Sequence, residues 1–91
     1  MNPEVVKELI EKLDLPFEGE WHDNEYIITL HTSDEFSELY NIISTDSAFN
    51  LDDNSMSTGN NAVFLFYTDD CELRFTADFE QDIYRLTISR R

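Results

Sequence analysis

The chain has 91 residues, 41% hydrophobic and 13% aromatic, and its twenty Asp and Glu against six Lys and Arg give a formal charge of −14. That length holds a single domain, residues 1–91, with one core, close to the size at which stability becomes marginal. The aromatic content excludes a disordered acidic tail, so the charge belongs to a folded surface.

The first element is predicted to be a helix that begins at Asn2, a good N-cap, with Pro3 at the first helical position and Glu4 at the positive end of the dipole. Val5, Val6, Leu9, Ile10 and Leu13 recur at helical spacing, and Pro16 ends the element near Asp14 by pushing Leu15 out of the helical region. Phe17 to Asn24 reads as an irregular acidic connection containing Gly19, Trp21 and His22. Glu25 to Leu30 follows as a strand with Tyr26, Ile28 and Leu30 on one face.

Thr32-Ser33-Asp34-Glu35 has the spacing of a capping box, in which the Thr32 hydroxyl serves the Glu35 backbone and the Glu35 carboxylate reaches back. The helix it opens carries Phe36, Leu39, Tyr40 and Ile43 on its apolar face, with Asp34, Glu35 and Glu38 largely opposite. Ser44 to Asn60 is rich in Ser, Thr, Asn, Asp and Gly. A structureless loop of that length is unusual in a compact domain, so Ala48 to Leu51 is expected to form a short edge strand, leaving Asp52 to Asn60 as a mobile loop.

Ala62 to Tyr67, an unbroken apolar run, reads as the central strand, apolar on both faces. Thr68-Asp69-Asp70 supplies turn chemistry. Cys71, Leu73, Phe75 and Ala77 then alternate with Glu72, Arg74 and Thr76, and after Asp78 to Asp82 a last strand from Ile83 to Ser89 sends Tyr84, Leu86 and Ile88 to one face. Such local connections imply an antiparallel meander. The expected class is therefore α+β: an antiparallel sheet of four to five strands with a C-terminal three-strand meander, two helices on one face, and the order α-β-α-(β)-β-β-β. The other face is left to solvent, and both edges are open to a partner strand or a second copy.

The placement of charge carries more than its total. Between Leu13 and Leu73 there is no Lys or Arg, and that window holds fourteen acids. Lys7 and Lys12 are placed to pair within the first helix, and the arginines gather near the C-terminus. Such a field excludes nucleic acid and anionic membrane as direct partners, because both need a positive surface. It attracts basic proteins, with fast and salt-sensitive association. In size, acidity and mixed helix-sheet character the chain is similar to small inhibitors encoded by phages and mobile elements: uracil-DNA glycosylase inhibitors, anti-restriction DNA mimics and several anti-CRISPR proteins. That likeness is one of style and carries over no residue roles.

Signals for chemistry are weak. Cys71 lies between Asp70 and Glu72, a setting that disfavours a thiolate, and reads as a core thiol. His22 and His31 match no zinc spacing, and Asp52-Asp53-Asn54-Ser55 departs from a calcium loop, with Ser57 in place of the glycine and Val63 in place of the bidentate glutamate. There is no glycine-rich phosphate loop and no serine nucleophile signature. A non-enzyme without metal or cofactor is expected. The absence of a membrane-length apolar stretch and of a signal-peptide pattern, with one cysteine unable to form an internal disulfide, points to the cytoplasm. The expected function is an acidic protein-binding module that blocks the basic groove of a nucleic-acid-binding enzyme through Asp34, Glu35, Glu38, Asp52, Asp53, Asp69, Asp70 and Glu72. The alternative is a small assembly protein that homodimerises through a sheet edge or face, its acidity serving only solubility.

Overall fold

In the computed structural model, residues 2–13, 18–52 and 54–91 are described. Two helices, α1 (Pro3–Glu11) and α2 (Ser33–Thr45), are combined with seven strands: β1 (Glu18–His22), β2 (Glu25–Leu30), β3 (Asn50–Leu51), β4 (Met56–Ser57), β5 (Asn61–Tyr67), β6 (Cys71–Asp78) and β7 (Ile83–Arg90). The strands form one antiparallel sheet in the order β1-β2-β7-β6-β5-β3, with β4 also on β5. The class is α+β, with the expected C-terminal meander β5-β6-β7.

Register sets the two faces. The rows Tyr26–Ile88–Leu73–Phe66, Ile28–Leu86–Phe75–Phe64 and Leu30–Tyr84–Ala77–Ala62 each run across four strands on one face. Val6 and Ile10 from α1, and Phe36, Leu39 and Ile43 from α2, close over these rows to form the single core. Rings fill its centre: Phe75 meets Phe36, Tyr40 and Phe66 edge-on at centroid distances of 5.7, 5.7 and 5.8 Å.

Both helices start as their sequences predict. The Asn2 carboxamide accepts from Val5 N at 2.9 Å, and the Thr32 hydroxyl accepts from Glu35 N at 3.1 Å. The Glu35 carboxylate accepts from His31 N at 2.7 Å, one residue before the cap. Lys7 pairs with Glu11 at 2.9 Å. The apolar face of α1 is only partly covered: Val6 is fully buried, whereas Val5, Leu9 and Leu13 remain 39–40% exposed. α1 ends at Glu11 with Lys12 as its C-cap, about a turn short of the expected end near Asp14, and Asp14 to Phe17 lie outside the described residues.

Four expectations need correction. Glu18 to His22 is no irregular connection: it pairs with β2 as an edge strand through the turn Asp23-Asn24, in which Asp23 takes φ 56°, a left-handed conformation that Asp tolerates better than most residues. The long polar loop is tied to β5, since Met56–Ser57 pairs with Ala62–Val63 and the Ser55 hydroxyl accepts from Leu65 N at 2.8 Å. Only Asn50–Leu51 of the expected Ala48 to Leu51 strand joins the sheet, while Phe49 is buried in the core. The run Ala62 to Tyr67 is not central: β7 and β6 occupy the middle, and β5 lies near the far side. Its second apolar set, Val63, Leu65 and Tyr67, is half-buried on the open face, where the neighbours are Arg74, Thr76 and the β4 segment rather than a helix layer.

The β1 hairpin depends on one glycine. Tyr26 folds its ring across Gly19, between the Trp21 ring at 5.2 Å and the Lys7 ammonium at 5.6 Å, and a Cβ at position 19 would collide with that ring. Gly19→Ala is expected to destabilise the fold by about 1–3 kcal/mol, measured by urea unfolding, because the buried Tyr26 has to leave its place. Full stability in that variant would show that the ring is free to move.

Candidate protein-binding surfaces

The strand register gives the sheet two ends. At one, which we call the cap end, Leu30, Tyr84 and Ala77 lie beside the start of α2. At the other, the tail end, are the β5–β6 turn and the C-terminus. Along β6 the two ends are roughly 23 Å apart at about 3.3 Å per residue.

Of the predicted site residues, Asp34, Glu35 and Glu38 lie at the cap end. The Tyr84 hydroxyl donates to Asp82 Oδ1 at 3.1 Å, and the Tyr84 ring lies 5.8 Å from that of Phe36, so the start of α2 sits beside the β6–β7 turn. Burial, and then the bond to Asp82, raise the Tyr84 pKa. That turn adds Asp78, Glu80 and Asp82. The Asp78 carboxylate accepts from Glu80 N and Gln81 N, each at 3.1 Å, and Asp82 takes φ 55°. Six carboxylates thus share the cap end, and neither α2 nor the turn contains Lys or Arg. Arg85, the nearest cation along β7, projects from the open face of the sheet. Asp78, Glu80 and Asp82 were missed from sequence because Arg74 closed the cation-free window before them. The signal was present, three acids in the five residues from Asp78 to Asp82.

Asp52, Asp69 and Asp70 lie at the tail end, and Asp53 falls outside the described residues. Asp52 acts as a turn former, accepting from Asn54 N at 2.8 Å. Asp69 and Asp70 are exposed at the hairpin tip. This end is not free of positive charge: Arg91 stacks over Tyr67 at 4.5 Å, donates to Thr68 O at 3.4 Å and gives its backbone N–H to Asp70 O at 2.9 Å. Arg91 and Asp52 also line one shallow depression of about 280 Å³. Glu72 belongs to neither end but lies half-buried on the open face, opposite Ser89 and Tyr67. The seven described residues of the predicted eight therefore divide among the cap end, the tail end and the open face.

One Lys or Arg ion pair is present among the described residues, Lys7–Glu11, and His22 Nε2 lies 3.3 Å from Glu20 Oε2. No carboxylate of the cap end forms an ion pair with Lys or Arg among the described residues. No described group of three His, Cys, Asp or Glu is placed to hold a metal ion, and no described helix is long and apolar enough to cross a membrane.

Cys71 is completely buried, and burial first, then Asp70 and Glu72, push its thiol up to about 11 from the usual 9.0. Because the folded value is the higher one, the stabilisation from the protonated thiol is complete below about pH 9 and is lost as pH rises to about 11. Stability of the wild type is expected to fall more steeply across that window than that of Cys71→Ala. Parallel pH profiles would contradict the buried-thiol assignment.

No family model matches this chain, and neither a curated protein nor a solved structure does.

Proposed function

We propose that this chain is a non-catalytic protein-binding module that docks an acidic surface on a basic protein, in the manner of a phage-type inhibitor occupying the nucleic-acid groove of an enzyme. The observation that carries this reading is the cap end, where two separate elements bring six carboxylates together with no Lys or Arg on either. A fixed carboxylate array offers a nucleic-acid-binding groove much of what a phosphate backbone offers, and its field speeds encounter. The cap end replaces the wider set of eight residues as the primary docking surface, with the tail end weakened by Arg91.

The test is a pull-down from bacterial lysate with salt-gradient elution, followed by competition with DNA or RNA. Support is one basic nucleic-acid enzyme that releases as salt rises and is displaced by its own substrate. Recovery of nothing salt-sensitive would leave the acids as a solubilising coat.

Homodimerisation, the other reading, has less physical support. Stacking two open faces buries Arg74 and Arg85, which lie near the middle of that face, against a like-charged copy. Short β3 and β4 already occupy part of the outer edge of β5. A dimeric mass that persists at high salt would favour this reading.

A further inference from the structure

The β1 edge is built differently from both acidic ends. Strand β1 is the outermost on its side, with no described strand beyond it, so its outer row of backbone N–H and C=O groups is available for pairing. Its side chains alternate. Glu20 and His22 point to the open face, and Trp21 points to the helix side, where it is 43% exposed. On that side the edge borders a groove of about 300 Å³ between β1 and α1, lined by Trp21, Glu4, Lys7 and Glu8. A second depression of about 500 Å³ follows around Trp21, lined by Pro3, Glu4, Asp23, Asn24 and Arg90.

We infer that β1 receives an extended basic segment of a partner protein as an added strand, with alternate Lys or Arg side chains laid along Trp21 toward Glu4 and Glu8. The backbone ladder supplies register-independent affinity, and the side-chain positions supply selectivity. On the helix side, a cation over the indole face gains from its quadrupole and from two exposed glutamates together. Lys7 is engaged first by Glu11 at 2.9 Å and lies over Tyr26, with Glu8 a lesser influence on its ammonium. On the open face, among the described side chains, only the residue of the added strand beside Glu20, which is 78% exposed, meets a carboxylate, so the helix-side positions carry the selectivity. A second copy is a poor occupant: antiparallel β1–β1 pairing centred on Glu20 sets that carboxylate against its own equivalent, and like charges directly opposite destabilise a sheet.

This inference rests on the reading that the partner is basic, but it places the contact on a different surface, so the two can fail separately. The probe is a synthetic nonapeptide of alternating Lys and Val, compared with the same peptide methylated on every backbone nitrogen and with a version carrying Glu for Lys. Trp21 is the only tryptophan in the chain, so its emission reports occupancy of this edge. Titration in low salt is expected to give a saturable change in Trp21 emission with the Lys–Val peptide, at least tenfold weaker binding of the methylated peptide and none of the Glu peptide. The double variant Glu4→Lys, Glu8→Lys, checked for folding by circular dichroism, is expected to lose at least tenfold, and Asp34→Lys, Glu38→Lys less than twofold. Equal affinity for the methylated peptide, or binding that leaves Trp21 emission unchanged, overturns the edge site while leaving the acidic reading standing. Absence of binding, or a doubled mass from β1–β1 pairing, overturns it as well.

Discussion

Phe75→Ala is expected to lower the melting temperature by roughly 15–30 °C and to remove most of the stability of the fold. Phe75 is fully buried on β6, one of the two middle strands, and its ring is the meeting point of three others, from Phe36 and Tyr40 on α2 and from Phe66 on β5. Truncation deletes those edge-on contacts and leaves a cavity that the sheet cannot collapse to fill, a change that costs about 3–5 kcal/mol. A domain of this size has a total stability of roughly 5–14 kcal/mol, and each kcal/mol moves the melting temperature by about 4–8 °C. Phe79→Ala is the matched control, since Phe79 is 43% exposed and rests only its edge on Tyr84 at 6.0 Å. Its expected loss is below about 1 kcal/mol, the range for a partly exposed ring contact. Thermal unfolding by circular dichroism decides the matter, and a Phe75→Ala loss no larger than that of Phe79→Ala would remove the ring cluster from its central role.

The core around Phe75 was legible because its signals are local. Alternation in Cys71 to Ala77 and in Ile83 to Ser89 fixes which side chains face inward, and the Thr32 to Glu35 capping box marks the start of α2 to the residue. Strand β1 was not legible because Trp21 is its one large apolar residue, and Asp23-Asn24 lacks the glycine that usually marks a two-residue hairpin turn. What makes it a strand is tertiary: the Tyr26 ring covering Gly19. The misplacement of β5 has a similar origin. An apolar run reports that both faces are shielded, yet Val63 and Leu65 are shielded by the side chains and short strands beside them rather than by a second layer of helix.

For the site, sequence gave the amount of acid but not its distribution. A count along the chain cannot reveal that Asp34 and Asp82 share one end of the sheet, where Phe36 of α2 packs on Tyr84 and Tyr84 bonds Asp82. Nor can it reveal that Arg91 returns to the β5–β6 turn and separates the tail end from the rest.

Charge reversal at the cap end gives the second large expected effect. Asp34→Lys, Glu38→Lys and Glu80→Lys together move the formal charge from −14 to −8, and all three side chains are exposed. Affinity for the basic partner recovered by pull-down is expected to fall about 100-fold, roughly 2.8 kcal/mol, with most of the loss at low salt in the association rate. The matched tail-end pair Asp69→Lys, Asp70→Lys is expected to lose less than about fivefold, because Arg91 already offsets the field there and exposed pairs contribute little. Folding responds in the opposite sense to binding. With few close ion pairs among the described residues, the net charge acts mainly as self-repulsion, so the cap-end variant should melt at or above the wild-type temperature at low ionic strength. Added salt should raise the melting temperature of the wild type more than that of the variant, since a Debye length near 10 Å at 0.1 M screens repulsion between carboxylates across the surface. A variant that stays folded and binds as tightly as the wild type would reduce the acidity to solvation. A variant that unfolds would instead show that Asp34 stabilises the positive end of α2 by more than its repulsion with neighbouring acids costs.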